Sequence, residues 1–216
     1  MHDLSGIDLV IFDCDGVLVD SEPLSNQVLA AHASAMGWHM DGPTSQSLFK
    51  GMTMKQIHVL FEKRRGESLS EDWINQYYQD SFALFKADLQ PVKGVEALIK
   101  RVKASGRKIC VASQGPMEKM RLTLGVTGLW DYFDGNVFSA HDVARPKPFP
   151  DLFLHAANMM NCAPAKCCVI EDSETGLKAA HAAKMDVIYY SPESKLPSDT
   201  QTLITHMDEV LAVLRS

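Results

Sequence analysis

No apolar run in this 216-residue chain approaches the length needed to cross a bilayer, which argues against a membrane-spanning protein. An excess of positive charge is also missing. The 21 Lys and Arg stand against 27 Asp and Glu, for a formal net charge of −6, and the basic residues form no long cluster, so no nucleic-acid or anionic-membrane footprint is expected. The start, Met1-His2-Asp3-Leu4, has neither a basic n-region nor an apolar h-region. Cysteines are few and odd in number: Cys14, Cys110, Cys162, Cys167 and Cys168 lie mostly in apolar runs without C-x-x-C spacing, which suits a reducing, cytoplasmic setting and buried thiols. The eight histidines are scattered, and no His/Cys cluster argues for zinc. Internal repeats and low-complexity tracts are absent.

What remains is a core-forming composition, 46% apolar, with acids at particular places. Leu9-Val10-Ile11-Phe12 reads as a strand buried on both faces, and Asp13 falls where it should emerge. Side chains alternate along an extended segment, so Asp15 points the same way as Asp13, and Gly16 lets the backbone turn. A helix is expected from Ser21, its N-cap, to Gly37, a second over 53–65, and a third over 70–89 with Ile74, Tyr78, Phe82, Phe85 and Leu89 on one face. No strand pattern interrupts 21–89, which is too long for a simple crossover. Residues 20–89 are therefore expected to form an all-helical insert, and 1–19 with 90–216 the domain that carries it.

From 95 onward helices and strands alternate: helix 95–104, strand 108–112, helix 117–124, a short strand near 136–138, helix 150–160, strand 167–170, helix 175–183, strand 187–190 and a closing helix 207–214. This alternation predicts an α/β fold with a doubly wound parallel sheet, whose ligands sit beyond the carboxyl ends of the strands. The residues just past those ends are Asp13 and Asp15, then Ser113, then Lys147 framed by Pro146 and Pro148, then Glu171 and Asp172 with Ser173 as a helix N-cap. Prolines on both sides of one lysine stiffen it as a solvated lysine would not need, whereas Arg145 reads as a surface residue. Four acids gathered at one sheet edge would repel and protonate, so the site calls for a cation, and magnesium suits an all-oxygen ligand set. A metal with a lysine beside a carboxylate fits phosphoryl transfer, with Asp13 as nucleophile and Asp15 as acid and base.

These residues resemble the haloacid dehalogenase-like superfamily, specifically its phosphatases with a helical cap after the first strand. Four motifs carry the resemblance in order: Asp13-x-Asp15-Gly16; Ser113; Lys147 in Lys-Pro-x-Pro-Asp; and Glu171-Asp172 followed by Gly176. The resemblance implies a Rossmann-like core and a magnesium ion on Asp13, the Asp15 carbonyl and Asp172, with Glu171 in the outer shell. It also implies that Ser113, Gln114 and Lys147 hold phosphate. Gln114 stands where the family often has Asn. The expected partner is a small phosphorylated metabolite and the expected state a monomer or weak dimer, with hinges at 19–20 and 90–94. An aspartate at position 15 speaks for phosphate esters over dehalogenation. Phe12-Asp13-Cys14-Asp15-Gly16, Phe49-Lys50-Gly51 and Gly115-Pro116 look most like the 6-phosphogluconate and phosphoglycolate phosphatase-like group. A β-phosphoglucomutase-like mutase keeps both aspartates and stays open as the alternative, although its cap arginine has no counterpart in Met52-Thr53-Met54. On the cap, Lys50 beside Gly51 is either a contact for a substrate carboxylate or an ordinary surface lysine.

Overall fold

The structure, a computed structural model, describes residues 4, 6–49, 52–70, 72–194, 197 and 202–214. The chain divides into two compact units, residues 1–20 with 90–216, and residues 21–89. Asp20 falls in the first, where its N–H donates to the Gln90 carbonyl.

The first unit is an α/β layer structure. Its strands are β1 (Leu9–Phe12), β2 (Lys108–Ser113), β3 (Val137–Ser139), β4 (Cys167–Glu171), β5 (Asp186–Tyr190) and β6 (Leu203–Ile204). They form one sheet in the order β3-β2-β1-β4-β5-β6, and every pairing is parallel. The winding therefore reverses between β1 and β4, the place where such sheets open a crevice at their carboxyl ends. Leu9 through Phe12 are wholly buried, as a strand covered on both faces must be. Alternation sends Leu9 and Ile11 to one face, where Cys110, Ala112, Cys167 and Val169 join Leu152, Phe153, Leu177 and Ala180 in one core. Phe12 points the other way and meets Phe133 edge-on, 6.0 Å between centroids.

The helices of this unit, numbered after four in the insert, are α5 (Val95–Ala104), α6 (Met117–Val126), α7 (Asp151–Met159), α8 (Glu174–Ala182) and α9 (Val210–Val213). One expectation is corrected. The closing helix is broken into a 3-10 turn, Met207–Glu209, and the single turn α9, because Glu209 turns back to accept from the N–H groups of Thr205 and His206. The two-residue strand β6 carries too short a pattern to be read from sequence.

The second unit is helical: α1 (Glu22–Ala35), α2 (Gly42–Phe49), α3 (Met54–Arg65) and α4 (Trp73–Asp88). Its core joins Val28, Leu29 and Ala33 to Phe49, Ile57, Phe61 and Tyr77, with Trp38 and Trp73 packed around them. α3 starts one residue past the expected 53, on a Thr53–Gln56 capping box, and Gly66 ends it in the left-handed region at φ 78°. Ser21 stands at the N-cap of α1 but makes no capping hydrogen bond. α2 was not expected, because Gly42-Pro43 reads as a turn and only Phe49 among its large residues is buried. The buried stripe of α4 runs through Tyr77, Ser81 and Phe85, while Tyr78 and Phe82 are half-buried. Ser81 is tolerated there because its hydroxyl donates to the Tyr77 carbonyl at 2.8 Å. No helix among the described residues is long and apolar enough to cross a membrane.

Candidate active site

The site begins where β1 ends. Asp13 is still within the sheet, its N–H donating to the Ile170 carbonyl of β4 at 3.0 Å, and is only 7% exposed. The chain then folds back on itself: Leu18 N–H donates to the Cys14 carbonyl and Gly16 N–H to the Val19 carbonyl, both at 2.9 Å. Gly16 lies at φ +80°, and the Asp172 carboxylate occupies the space that a Cβ there would need. The Asp-x-Asp-Gly turn and the tip of β4 can thus approach only with glycine at 16.

Lys147 enters from the loop after β3 and is 5% exposed. Its Nζ donates to Asp13 Oδ1 at 2.6 Å and to Glu171 Oε1, and lies 4.8 Å from the Phe153 ring centroid. Burial opposes the charge on this ammonium, but the Asp13 and Glu171 carboxylates outweigh it and raise its pKa above the usual lysine range. The effect on Asp13 differs. Burial pushes its carboxyl up to about 7, Lys147 pulls it back in part, and Glu171 adds to the rise. The buried trio holds two acids against one cation.

Glu171 is fixed on both sides. Its Oε2 accepts from the N–H of Asp172 at 2.9 Å and from the N–H and Oγ of Ser173, both at 2.8 Å. Ser173 Oγ in turn accepts from Gly176 N–H at 3.0 Å, the N-cap bond of α8 expected from sequence. Gly176 leaves the space that the Glu171 carboxyl group fills. Replacing glycine by alanine inside a helix ordinarily stabilises. Here the added methyl collides with a buried carboxylate, so Gly176→Ala is expected to destabilise by about 1–3 kcal/mol. A melting temperature at or above wild type would contradict that packing.

Asp172 is half-buried, and its main-chain carbonyl accepts from the Tyr189 hydroxyl at 2.7 Å. One carboxylate oxygen each from Asp13, Glu171 and Asp172 lie within 4.8 Å of one another, the one such cluster among the described residues. All donors are oxygen, and no histidine or cysteine belongs to the cluster, so it fits a hard divalent cation.

Ser113 is the last residue of β2, one residue beyond the predicted strand end, and 1% exposed. Its Oγ accepts from Gly115 N–H at 3.1 Å, while Ser139 Oγ donates to the Gly115 carbonyl at 2.7 Å. Gln114 is exposed. Arg145 is exposed as expected and clasps Asp151 with Nε and Nη2, at 3.0 and 2.9 Å. Lys50 and Gly51 lie outside the described residues. Cys14, between the two aspartates, is buried, and burial pushes its thiol well above the usual cysteine range, so it is an inert packing residue.

Two polar residues escaped the sequence reading. Lys119 Nζ donates to Asp15 Oδ1 at 2.8 Å. The sign that could have found it is its place in the first turn of α6, where a cation opposes the helix dipole. Tyr189 shares β5 with Asp186 and a second tyrosine, Tyr190, so no sequence signal singled it out.

The sheet, its winding reversal and the lysine-bridged acids define an α/β fold with a buried charged cluster at the carboxyl edge of its strands. The chain belongs to the haloacid dehalogenase-like hydrolases, whose family model matches residues 7–184. It is 31% identical over 211 residues to the 6-phosphogluconate phosphatase of Escherichia coli, covering 96% of this chain and 94% of the relative. It is 28% identical over 183 residues to a phosphorylated carbohydrates phosphatase of Thermotoga maritima, with 85% and 84% covered. Among solved structures, a conserved haloacid dehalogenase-like protein of unknown function from Agrobacterium tumefaciens superposes with a TM-score of 0.82 at 32% identity, over 96% of this chain and 97% of that one.

Proposed function

We propose that this chain is a magnesium-dependent phosphomonoesterase that hydrolyses a small phosphorylated sugar acid, with 6-phosphogluconate the first substrate to test. The observation that carries the reading is the buried Lys147 ammonium bridging Asp13 and Glu171 at the strand tips. Such a cation offsets the repulsion between an aspartate nucleophile and a phosphate dianion. The similarity to phosphatases of E. coli and T. maritima supports the reaction class and the choice of a carbohydrate phosphate.

In this reading Asp13 attacks phosphorus, the bond from phosphorus to the ester oxygen breaks, and Asp15 gives that oxygen its proton. Asp15 then takes a proton from water, which attacks the aspartyl phosphate and releases phosphate and the original Asp13 carboxylate. Ser113 and Lys147 hold the phosphoryl oxygens, with Gln114 beside them. A magnesium ion bound by Asp13, Asp172 and the Asp15 carbonyl would neutralise charge on the transferring group. Glu171 is assigned to the outer shell, because Lys147, Asp172 N–H and Ser173 already occupy its oxygens. The helical unit is the cap in this proposal, and Lys50 and Gly51 are its candidates for substrate contact.

The test is a screen of phosphorylated metabolites for released phosphate, with magnesium and with chelator. Turnover of 6-phosphogluconate or a related sugar-acid phosphate, silenced by chelator, is expected. Undiminished release in chelator overturns the metal reading. Isomer formation from a hexose 1-phosphate and its bisphosphate, faster than phosphate release, overturns the hydrolase reading in favour of a mutase.

A further inference from the structure

We infer that Lys119 is the positioning residue of Asp15: it holds that carboxylate on the Ser113–Gly115 side of the strand tips, where the leaving oxygen of the ester must receive its proton. The inference rests on the acid/base role of Asp15 proposed above.

Asp15 sits on a turn, beyond the sheet that fixes Asp13, and its side chain is 27% exposed. A general acid must lie within hydrogen-bond reach of its target oxygen, and a short side chain at a half-open turn has rotamers that face water instead. Lys119 restricts that choice. Its Nζ meets Asp15 Oδ1 at 2.8 Å, and its side chain is only 16% exposed, so the pair is shielded as freely hydrated surface pairs are not.

The approach of the lysine is built into the neighbouring turn. A Cβ placed on Gly115 would lie 3.4 Å from Lys119 Cδ, 3.6 Å from Ser113 Oγ and 3.9 Å from Asp15 Oδ2. Gly115 is thus the common ground over which the lysine stem, the serine hydroxyl and the carboxylate meet. Nothing in the helix itself calls for a lysine there, because the third residue of α6 is where the backbone dipole disfavours a cation. Glu118, one residue earlier, is the charge that the helix start favours.

A lysine that acts through Asp15 has a distinctive kinetic signature. An alkoxide must be protonated as it leaves, whereas p-nitrophenolate leaves without help. Lys119→Met should therefore lower the single-turnover rate of phosphoryl transfer to Asp13 about tenfold or more with 6-phosphogluconate and no more than about threefold with p-nitrophenyl phosphate, with KM little changed. Lys119→Arg should restore most of the loss, and Lys119→Met should cost nothing further in an Asp15→Asn background. Equal losses with both substrates in the phosphoryl-transfer step, a loss confined to KM, or full additivity with Asp15→Asn overturns the inference. A crystal structure of Lys119→Met gives a readout free of turnover: the Asp15 carboxylate should leave the Gly115 side, and an unmoved carboxylate overturns the inference whatever the substrate. Retained phosphate release by Asp13→Asn would instead count against the proposed function.

Discussion

Asp13→Asn should abolish turnover of p-nitrophenyl phosphate and of whichever phosphate ester the wild type hydrolyses, with kcat down by roughly 10⁴-fold or more. The amide is isosteric and its oxygen can still accept from Lys147, but it cannot attack phosphorus and leave again as a carboxylate. The same variant makes an opposite prediction for stability. In the metal-free protein burial raises the Asp13 pKa from 3.8 to about 7. A folded-state value above the unfolded one means that ionisation opposes folding: the stability is fully present below pH 3.8 and is lost as pH rises through about 7. Asparagine never ionises. In chelator at pH 8, Asp13→Asn should therefore melt at or above wild type, and the difference should narrow toward pH 4. Measurable turnover contradicts the nucleophile assignment, and a melting temperature several degrees below wild type at pH 8 contradicts the electrostatic account.

Lys147→Met should remove activity and stability together. It takes the one cation from between two buried carboxylates, a change that typically costs about 3–5 kcal/mol. For a chain of this length that is a fall of roughly 10 °C in melting temperature. The wild-type ammonium is held protonated by its two partners, with a pKa above the ordinary lysine value, so it keeps its charge across pH 5 to 8. The variant's deficit should shrink at pH 5.5, below the raised pKa of Asp13, where that carboxyl takes up a proton. Phosphate release should drop about a thousandfold, through the lost charge on the phosphoryl oxygens. A melting temperature unchanged at pH 8 would mean that the trio is not coupled as its geometry demands.

Much of the architecture is legible in the sequence, since strands buried on both faces appear as unbroken apolar runs. Val10 through Phe12 and Cys167 through Ile170 needed no further clue, and α5 matches its apolar spacing at both ends. The misses have physical causes. α2 buries little, β6 is two residues long, and α4 hides a serine whose polar group is satisfied locally. At the site, the acids were visible because charges at the ends of buried strands have no packing reason to be there, and Lys147 because prolines frame it on both sides. What could not be read was the pairing. Nothing local says that Asp13 takes Lys147 from 134 residues away while Asp15 takes Lys119 from 104 residues away. Those partners are chosen by strand order, which depends on the whole sheet.

The crossing from one unit to the other has a consequence for how such a chain arises. Val19 and Pro91 form an antiparallel bridge, Asp20 N–H donates to the Gln90 carbonyl at 3.0 Å and Val92 N–H to the Leu18 carbonyl at 2.9 Å. The outgoing and returning chains are thus zipped into a ribbon before the helices of 21–89 begin. To the sheet unit, that whole segment is a single long hairpin loop with its ends already joined. Loop-closure cost grows only with the logarithm of length, about 0.6 kcal/mol per doubling. Lengthening, shortening or exchanging the segment therefore changes the folding free energy of the sheet unit little, and the helices of 21–89 can be replaced without renegotiating the acid and lysine positions of the sheet unit.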